Sequence, residues 1–185
     1  MRPDEAMTAP TLMTDRLVMR PHARADFEDV AALWADPDVV RHIGGQTRDR
    51  QDAWFAHLRN RGLWDILGYG YWIVRERRSE AFVGEVGFAD FMRGMQPDLS
   101  GRPEAGWVIA KPAWGKGYAT EAVKAAHNWL DEVLPGRSTC IIDDDHSASK
   151  AVAAKAGYTA IGPSVYRDSP VIVFERFSPG LAQKV

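Results

Sequence analysis

Two glycines that stand two residues apart, Gly115 and Gly117, mark the point where an apolar stretch gives way to a helical pattern. Glycine lets the backbone approach an anion closely and adopt dihedral angles that other residues avoid. The first N–H groups of a helix have no partners within it, and the helix dipole is positive at that end, so phosphate is favoured there. Lys116 can add a charge-assisted contact at the rim. The segment therefore predicts a loop that binds a phosphate group.

The residues around these glycines restrict which phosphate ligand is expected. A nucleotide P-loop ends in Gly-Lys followed by Ser or Thr, whereas Gly117 is followed by Tyr118. A dinucleotide-binding loop needs a third glycine three residues after Gly117, where the chain has Thr120. The residue pattern by itself leaves two alternatives, a different phosphate ligand and a tight turn between a strand and a helix.

Carboxylates on two predicted strands could act as a general base. Alternation along a strand places Glu104 on one face together with Gly106 and Val108. Glu85, on the preceding strand, is the second candidate, with Asp90 behind it. A base of this kind works best when its pKa is raised towards neutrality.

Three consecutive carboxylates, Asp143 to Asp145, could form a metal site, and the single cysteine, Cys140, could act as a nucleophile. No histidine stands at ligand spacing on the same element, so helix capping is the expected role of the carboxylates and no metal is predicted. Cys140 lies in an apolar run, which is typical of a buried strand residue.

Length and composition are those of one globular domain. The chain has 185 residues, of which 45% are hydrophobic and 26% charged. The formal net charge of -2 argues against nucleic acid or an anionic membrane as the main partner. No segment is long and apolar enough to span a membrane, and the N-terminus lacks the apolar region of a signal peptide. We therefore expect a cytoplasmic location.

The hydrophobic pattern predicts elements of both kinds. Strands are expected over 12–20, 69–76, 82–91, 104–109, 138–142, 159–166 and 171–177. Helices are expected over 27–36, 48–60, 117–133 and 147–156, with Gly62 marking the end of the second. Helices among hairpin-linked strands favour a mixed α/β structure. We predict one domain over 11–178, a flexible N-terminal tail over 1–10 and a C-terminal tail over 179–185.

The segment Trp114 to Ala119 resembles the pyrophosphate-binding motif of the GNAT acetyltransferase superfamily. Thr14 to Arg20 is similar to the opening strand of the branch that contains the RimJ/RimL-like ribosomal-protein N-terminal acetyltransferases. Further landmarks of that branch follow in order at Ile43–Gly45, Gly84–Phe88 and Glu104–Trp107. The resemblance runs from about Thr14 to Phe177. It implies the single-domain GNAT acyl-CoA N-acyltransferase fold, a mostly antiparallel, splayed central sheet flanked by helices.

The resemblance also implies a binding site for acetyl-CoA, as co-substrate, without a metal. The pantetheine arm is expected on the backbone of Trp107, Val108 and Ile109. The pyrophosphate is expected on the amides of Trp114, Gly115, Lys116, Gly117, Tyr118, Ala119 and Thr120. His146 stands where the family has an asparagine that contacts pantetheine, and Ser149 matches a serine near the thiolate leaving group. Ser149 has the alternative role of a helix-capping residue.

The resemblance implies direct transfer of an acetyl group to a primary amine in a ternary complex, with Glu104 as the preferred base and Glu85 as the alternative. A backbone N–H near Val108 or Ile109 is expected to stabilise the oxyanion. The tyrosine that many GNAT enzymes use as general acid is replaced by Ala153. The acceptor is expected to be a protein or peptide N-terminus or a small-molecule amine, and the chain a monomer or homodimer. The alternative function is a catalytically silent acyl-CoA-binding module.

Overall fold

The computed structural model describes residues 9–180. Most of the predicted N-terminal tail and residues 181–185 of the C-terminal tail lie outside this range. Ala9 and Pro10, the last residues assigned to the N-terminal tail, are held against the domain. Ala9 is buried, and the carbonyl of Pro10 accepts a hydrogen bond of 2.8 Å from the indole of Trp72.

Eight strands and five helices alternate along the described chain. The strands are β1 (Leu12–Met13), β2 (Leu17–Pro21), β3 (Tyr71–Glu76), β4 (Phe82–Ala89), β5 (Glu104–Ile109), β6 (Arg137–Asp143), β7 (Thr159–Tyr166) and β8 (Ser169–Phe177). The helices are α1 (Phe27–Ala35), α2 (Pro37–Val40), α3 (Arg50–Leu67), α4 (Tyr118–Val133) and α5 (Ser147–Lys155). Short 3₁₀ turns at Arg24–Asp26 and Lys111–Ala113 precede α1 and α4.

All eight strands form a single sheet in the order β1-β2-β3-β4-β5-β6-β8-β7. Every neighbouring pair is antiparallel except β5 and β6, which are parallel. The predicted class, a mixed and mostly antiparallel α/β fold with helices on the sheet, is confirmed.

Two predicted boundaries were wrong, and tertiary contacts explain both. The expected first strand is two strands, because the turn between them is held by Thr14, whose hydroxyl accepts from the amide of Leu17 at 2.9 Å. The helix predicted to end near Gly62 continues to Leu67 and ends at Gly68, which adopts a left-handed conformation with φ 74°. Trp64 lies in this extension and is buried against the sheet, so packing outweighs the low helix propensity of Gly62.

The sheet separates two apolar cores. On one face, α4 and α5 cover a large cluster that includes Trp72, Phe88 and Leu130. On the other, α1 and α2 pack Val30, Leu33 and Trp34 against β3 and β5. No helix among residues 9–180 combines the length and apolar character needed to cross a membrane.

Candidate active site

The sheet opens between its two parallel strands. β5 and β6 are paired at one position, Glu104 with Thr139, where the amide of Thr139 also bonds the carbonyl of Pro103 at 3.0 Å. Beyond that vertex, no further pairing between β5 and β6 occurs within the described sheet, so the strands diverge towards Ile109 and Asp143. The predicted splay is present. An open strand edge of this kind offers N–H and C=O groups to an extended ligand.

Trp107, Val108 and Ile109, whose backbone was predicted to bind pantetheine, lie on β5 along this wedge. The other edge of β5 is paired with β4 over its whole length, from Glu104 to Ile109. The carbonyl of Ile109 accepts a hydrogen bond of 2.7 Å from the indole of Trp114. One of the predicted backbone groups is therefore covered by the side chain of another predicted site residue.

The glycine loop lies at the open end of the wedge and leads directly into α4. Gly115 and Gly117 adopt left-handed conformations, with φ 73° and 78°, and Gly117 is the N-cap of the helix without a side-chain cap. No hydrogen-bond acceptor within residues 9–180 is paired with the amides of the six residues Gly115 to Thr120. The amide of Trp114 differs, because it bonds the carbonyl of Lys111 at 3.2 Å. Six of the seven predicted amides are thus available to an anion.

Arg16, which lies 100 residues before Lys116 in the chain, holds this loop in place. Its guanidinium donates to the carbonyl of Lys116 at 2.9 Å and to Glu121, in the first turn of α4, at 2.7 Å. It also lies 4.7 Å from the ring centre of Tyr118. Thr14 donates to the same Glu121 carboxylate at 2.5 Å. Thr14 and Arg16 belong to the motif that resembles the family's opening strand, and their side chains support the phosphate-binding loop.

His146 and Ser149 form the far wall, at the start of α5. His146 is the N-cap residue of the helix, and burial, followed by the neighbouring His42, lowers its pKa. Ser149 is buried, and its hydroxyl makes no hydrogen bond to any residue in 9–180. The capping role considered for Ser149 therefore has no supporting hydrogen bond in the described chain.

His42, which the sequence analysis did not single out, reaches this wall from the segment after α2. Its ring stacks on that of His146, with centroids 4.3 Å apart, and its Nδ1 lies 3.0 Å from an Oδ of Asp145. His42, Asp143 and Asp145 each offer one potential metal-ligand atom, and these three atoms lie within 4.8 Å of one another. The sequence argument against a metal considered histidines on the same element only, and His42 lies about a hundred residues away.

Glu85 is in contact with neutral side chains on the α1 and α3 side of the sheet. Its two carboxylate oxygens accept hydrogen bonds from the indole of Trp34 at 2.8 Å and from the amide of Asn60 at 3.1 Å. The side chain is fully buried, and this desolvation raises its pKa. On the neighbouring strand it is paired with Val108.

Two buried histidines, His22 and His57, lie on the same side of the sheet beside Glu85. His57 has its Nε2 3.1 Å from the carbonyl of Ala23, so that nitrogen donates and Nδ1 accepts from Nδ1 of His22, 3.0 Å away. Nδ1 of His22 therefore carries the proton, and its Nε2 is an acceptor. This Nε2 lies 3.5 Å from Oε1 of Glu85. Burial, followed by the charge of His57, lowers the pKa of His22 to about 3, so His22 is neutral near pH 7. Glu85 consequently faces a neutral imidazole, while Arg48 and Arg59, which form no ion pair with it among residues 9–180, lower its pKa through their charge.

Glu104, the preferred base in the sequence analysis, has a different environment at the vertex of the wedge. Arg93, in the loop after β4, donates to both of its oxygens at 2.9 to 3.0 Å. Burial raises the pKa of Glu104, and the contact with Arg93 opposes this effect without cancelling it, so the pKa of Glu104 is also raised. The predicted alignment of Glu104, Gly106 and Val108 is present, and Tyr71 places its hydroxyl over Gly106 between the two carboxylates.

Two side chains with reactive groups, those of Cys140 and Tyr158, lie in the core. Cys140 is buried on β6, and burial raises the pKa of its thiol well above the ordinary value. Tyr158 is buried and its hydroxyl lies 2.9 Å from Nε2 of His127. Neither side chain is placed to act on a ligand in the wedge.

Comparison with known proteins identifies the family. The family model for an acetyltransferase (GNAT) domain matches residues 16–159. A relative described as the uncharacterized protein YkkB of Bacillus subtilis (strain 168) is 30% identical over 171 residues, which cover 90% of this chain and 95% of that protein. The chain therefore belongs to the GNAT acetyltransferase family, whose members carry out acetyl-CoA-dependent N-acetylation.

Solved structures agree with this assignment. A putative GNAT-family acetyltransferase from Bordetella pertussis superimposes with a TM-score of 0.82 and 27% identity, covering 91% of this chain and 99% of that one. RimL, a ribosomal L7/L12 alpha-N-protein acetyltransferase solved with coenzyme A, has a TM-score of 0.73 at 14% identity, covering 91% and 98%. The second likeness is one of fold.

Proposed function

We propose that this protein is an acetyl-CoA-dependent N-acetyltransferase that binds its co-substrate across the wedge between β5 and β6. The observation that carries the proposal is the alignment of this open strand edge with six available amides at the start of α4. The pyrophosphate lies on these amides, where the helix dipole and Lys116 favour its charge. The pantetheine arm runs along Trp107, Val108 and Ile109, with His146 and Ser149 on the opposite side.

The reaction begins with a neutral amine, because only the unprotonated nitrogen has a lone pair to attack the thioester carbon. A backbone N–H near Val108 or Ile109 stabilises the oxyanion. The carbon–sulfur bond then breaks, and the thiolate leaves towards Ser149, whose hydroxyl has no competing partner among residues 9–180. The proton lost by the amine goes to a carboxylate base.

For the base we propose Glu85, with Glu104 as the alternative that the sequence favours. The donors to Glu85 are uncharged, and burial outweighs their hydrogen bonds and the charges of Arg48 and Arg59, so the pKa of this carboxylate stays raised. Glu104 is held on both oxygens by the Arg93 guanidinium, which stabilises its ionised form and weakens it as a base. Proton transfer to Glu104 requires that this pair first opens.

The phosphate-binding loop is tested by the substitution Gly117→Val. Gly117 has φ 78°, and a Cβ there would lie 3.5 Å from Nη2 of Arg16, in the loop whose amides we propose to bind the pyrophosphate. Coenzyme A affinity, measured by calorimetry, should fall at least about tenfold, which corresponds to about 1.4 kcal/mol. Gly101→Val is the matched control, because Gly101 also has a left-handed φ of 73° and open space around it, but lies in a distant loop. Equal affinity in the two variants would contradict the assignment.

The alternative, a silent acyl-CoA-binding module, is suggested by His146 at the usual asparagine position and by Ala153 in place of a tyrosine acid. Incubation with acetyl-CoA and a panel of amines separates the two functions. Release of free thiol above the background rate with any amine supports the transferase. Tight coenzyme A binding with no thiol release from any amine supports the silent module.

A further inference from the structure

A cationic cavity lies on the same side of the sheet as Glu85. It has a volume of about 460 Å³ and is lined by the face of α3 that carries Asp52, Phe55, Ala56 and Arg59, together with Arg48 from the preceding segment. Two of these five residues are arginines and one is an aspartate, so the charged lining carries an excess of positive charge. None of them has been given a role in the proposed reaction.

Arg48, which lines this cavity, has one guanidinium nitrogen without a hydrogen-bond partner among residues 9–180. Its guanidinium carbon lies 3.5 Å from the ring centre of Trp34, and its backbone amide bonds the carbonyl of Trp34 at 2.9 Å, so the side chain is held in place. Its Nη1 is buried and finds no hydrogen-bond partner within residues 9–180. A buried N–H without an acceptor is unfavourable, because it has lost water and gained nothing in return. An acceptor supplied by a ligand removes that penalty.

Arg59 places a second positive charge nearby. Burial, followed by repulsion from Arg59, lowers the pKa of Arg48, although a guanidinium stays charged at neutral pH. Asp52 acts in the opposite direction but makes no ion pair with either arginine in the described chain. Two like charges on the wall of one open cavity favour the binding of an anion, and arginine is well suited to carboxylate and phosphate oxygens.

The cavity is one side chain away from the proposed base. Trp34, on which Arg48 stacks, donates its indole N–H to Glu85. Asn60, which follows Arg59 on α3, donates to the other oxygen of the same carboxylate. An anion bound at Arg48 and Arg59 is therefore separated from Glu85 by Trp34 and Asn60, the two side chains that hydrogen-bond that carboxylate.

We infer that the acceptor is a small amine that carries a carboxylate or phosphate group, bound through that group between Arg48 and Arg59. The inference rests on the proposed function and specifies its substrate class. The arginines repel polycationic acceptors such as polyamines and aminoglycosides, while Phe55 offers apolar contact to the body of the ligand.

The first test compares acceptors that differ in the anionic group. Phenylalanine and phenylalaninamide carry the same side chain, and an aminoalkyl phosphate and its alcohol form a second pair that distinguishes phosphate from carboxylate. The amide has the less basic amine and hence more of the reactive neutral form, so chemistry without an anion site favours the amide. We expect kcat/KM to be at least tenfold higher for an anionic member of one pair. Equal or lower values for both anionic members would overturn the inference while leaving the transferase intact.

The second test uses Arg48→Gln and Arg59→Gln, with Arg78→Gln in the exposed turn between β3 and β4 as the control. Arg59 is exposed and makes no hydrogen bond within the described chain, so its loss does not threaten folding. Either cavity variant should reduce the preference for the anionic acceptor at least tenfold, and Arg78→Gln should not. A preference unchanged in both cavity variants would overturn the inference.

Calorimetry measures acceptor binding directly, so it tests the same cavity without requiring acetyl transfer. With coenzyme A present at saturation to fill the phosphate-binding loop, the anionic amine is titrated into wild type and into Arg59→Gln. Binding that weakens at least tenfold in the variant supports the cavity as the anion site even if no acetyl transfer is detected. Identical binding in the two proteins counts against it, whatever the fate of the proposed activity.

Discussion

Glu85 and Glu104 are buried on the same side of the sheet, and their partners give them different chemistry. Glu85 accepts from two neutral donors and faces an acceptor nitrogen of His22, whereas Glu104 is held by the charge of Arg93. A carboxylate without a cation in contact is protonated more readily. The structure thus distinguishes two candidates that strand alternation places on equal terms.

Substitution of each carboxylate by glutamine distinguishes their roles. A base must be ionised, so activity should rise with pH through the raised pKa of Glu85. Glu85→Gln should lower kcat about a hundredfold or more and remove that rise, while coenzyme A affinity stays within about twofold. Glu104→Gln should lower kcat less and keep the pH dependence. The measurement is kcat/KM against pH, and loss of the rise in Glu104→Gln alone would restore Glu104 as the base.

At the scale of elements, the phosphate-binding loop depends on a strand turn far away in sequence. Arg16, between β1 and β2, contacts both the loop carbonyl of Lys116 and Glu121 in the first turn of α4. These contacts fix where the helix amides point before any ligand arrives. Preorganisation of this kind reduces the cost of ordering the loop on binding.

Arg16→Gln should therefore weaken coenzyme A binding without preventing folding. The lost hydrogen bonds lie at a partly exposed site, and we expect a cost of about 1 kcal/mol, or about a fivefold rise in Kd by calorimetry. Arg50→Gln is the matched control, because Arg50 also pairs with a glutamate, Glu28, and lies over an aromatic ring, that of Phe27, away from the loop. A Kd that changes equally in both variants would show that the loop does not depend on Arg16.

At the scale of the whole molecule, one buried carboxylate connects α1 to two strands of the sheet. Asp26, at the start of α1, accepts from Arg20 on β2 at 2.6 and 2.7 Å and from Arg75 on β3 at 2.8 Å. Burial by itself raises the pKa of Asp26, but the hydrogen bonds from the two arginines outweigh it and lower the pKa to about 2. This group joins a helix to two strands.

The lowered pKa predicts how the free energy of unfolding depends on pH. Because the folded pKa lies below the unfolded value of 3.8, the stabilisation is present above pH 4 and is lost as pH falls from about 4 to about 2. The difference corresponds to about 2 kcal/mol. Asp26→Asn should lose at least this amount at pH 7 in urea unfolding and show a flatter profile at low pH. Asp65→Asn, on the exposed face of α3, serves as the control, and an equal profile in both variants would exclude Asp26 as the cause.

Local features of the sequence predicted most of the elements correctly. Strand alternation and helix spacing depend on neighbouring residues, so the strands from β3 to β8 and the helix after the glycine loop were found within a few residues. Where the prediction was wrong, a distant partner had decided the outcome. Burial of Trp64 extends α3 past Gly62, and Thr14, which holds the turn between β1 and β2, is itself bound to Glu121.

The ordered motifs of the sequence identified the fold family. The glycine loop was also predicted from the sequence, because a Gly-x-Gly turn into a helix leaves amides free through local backbone geometry. Only the tertiary structure decided which charges meet. It brought Arg16 to Lys116, His42 to His146, Arg93 to Glu104, and Arg48 with Arg59 to the side of Glu85. The basicity of a carboxylate and the affinity of a cavity for an anion depend on burial and on partners from distant segments, and residue spacing carries no information about either.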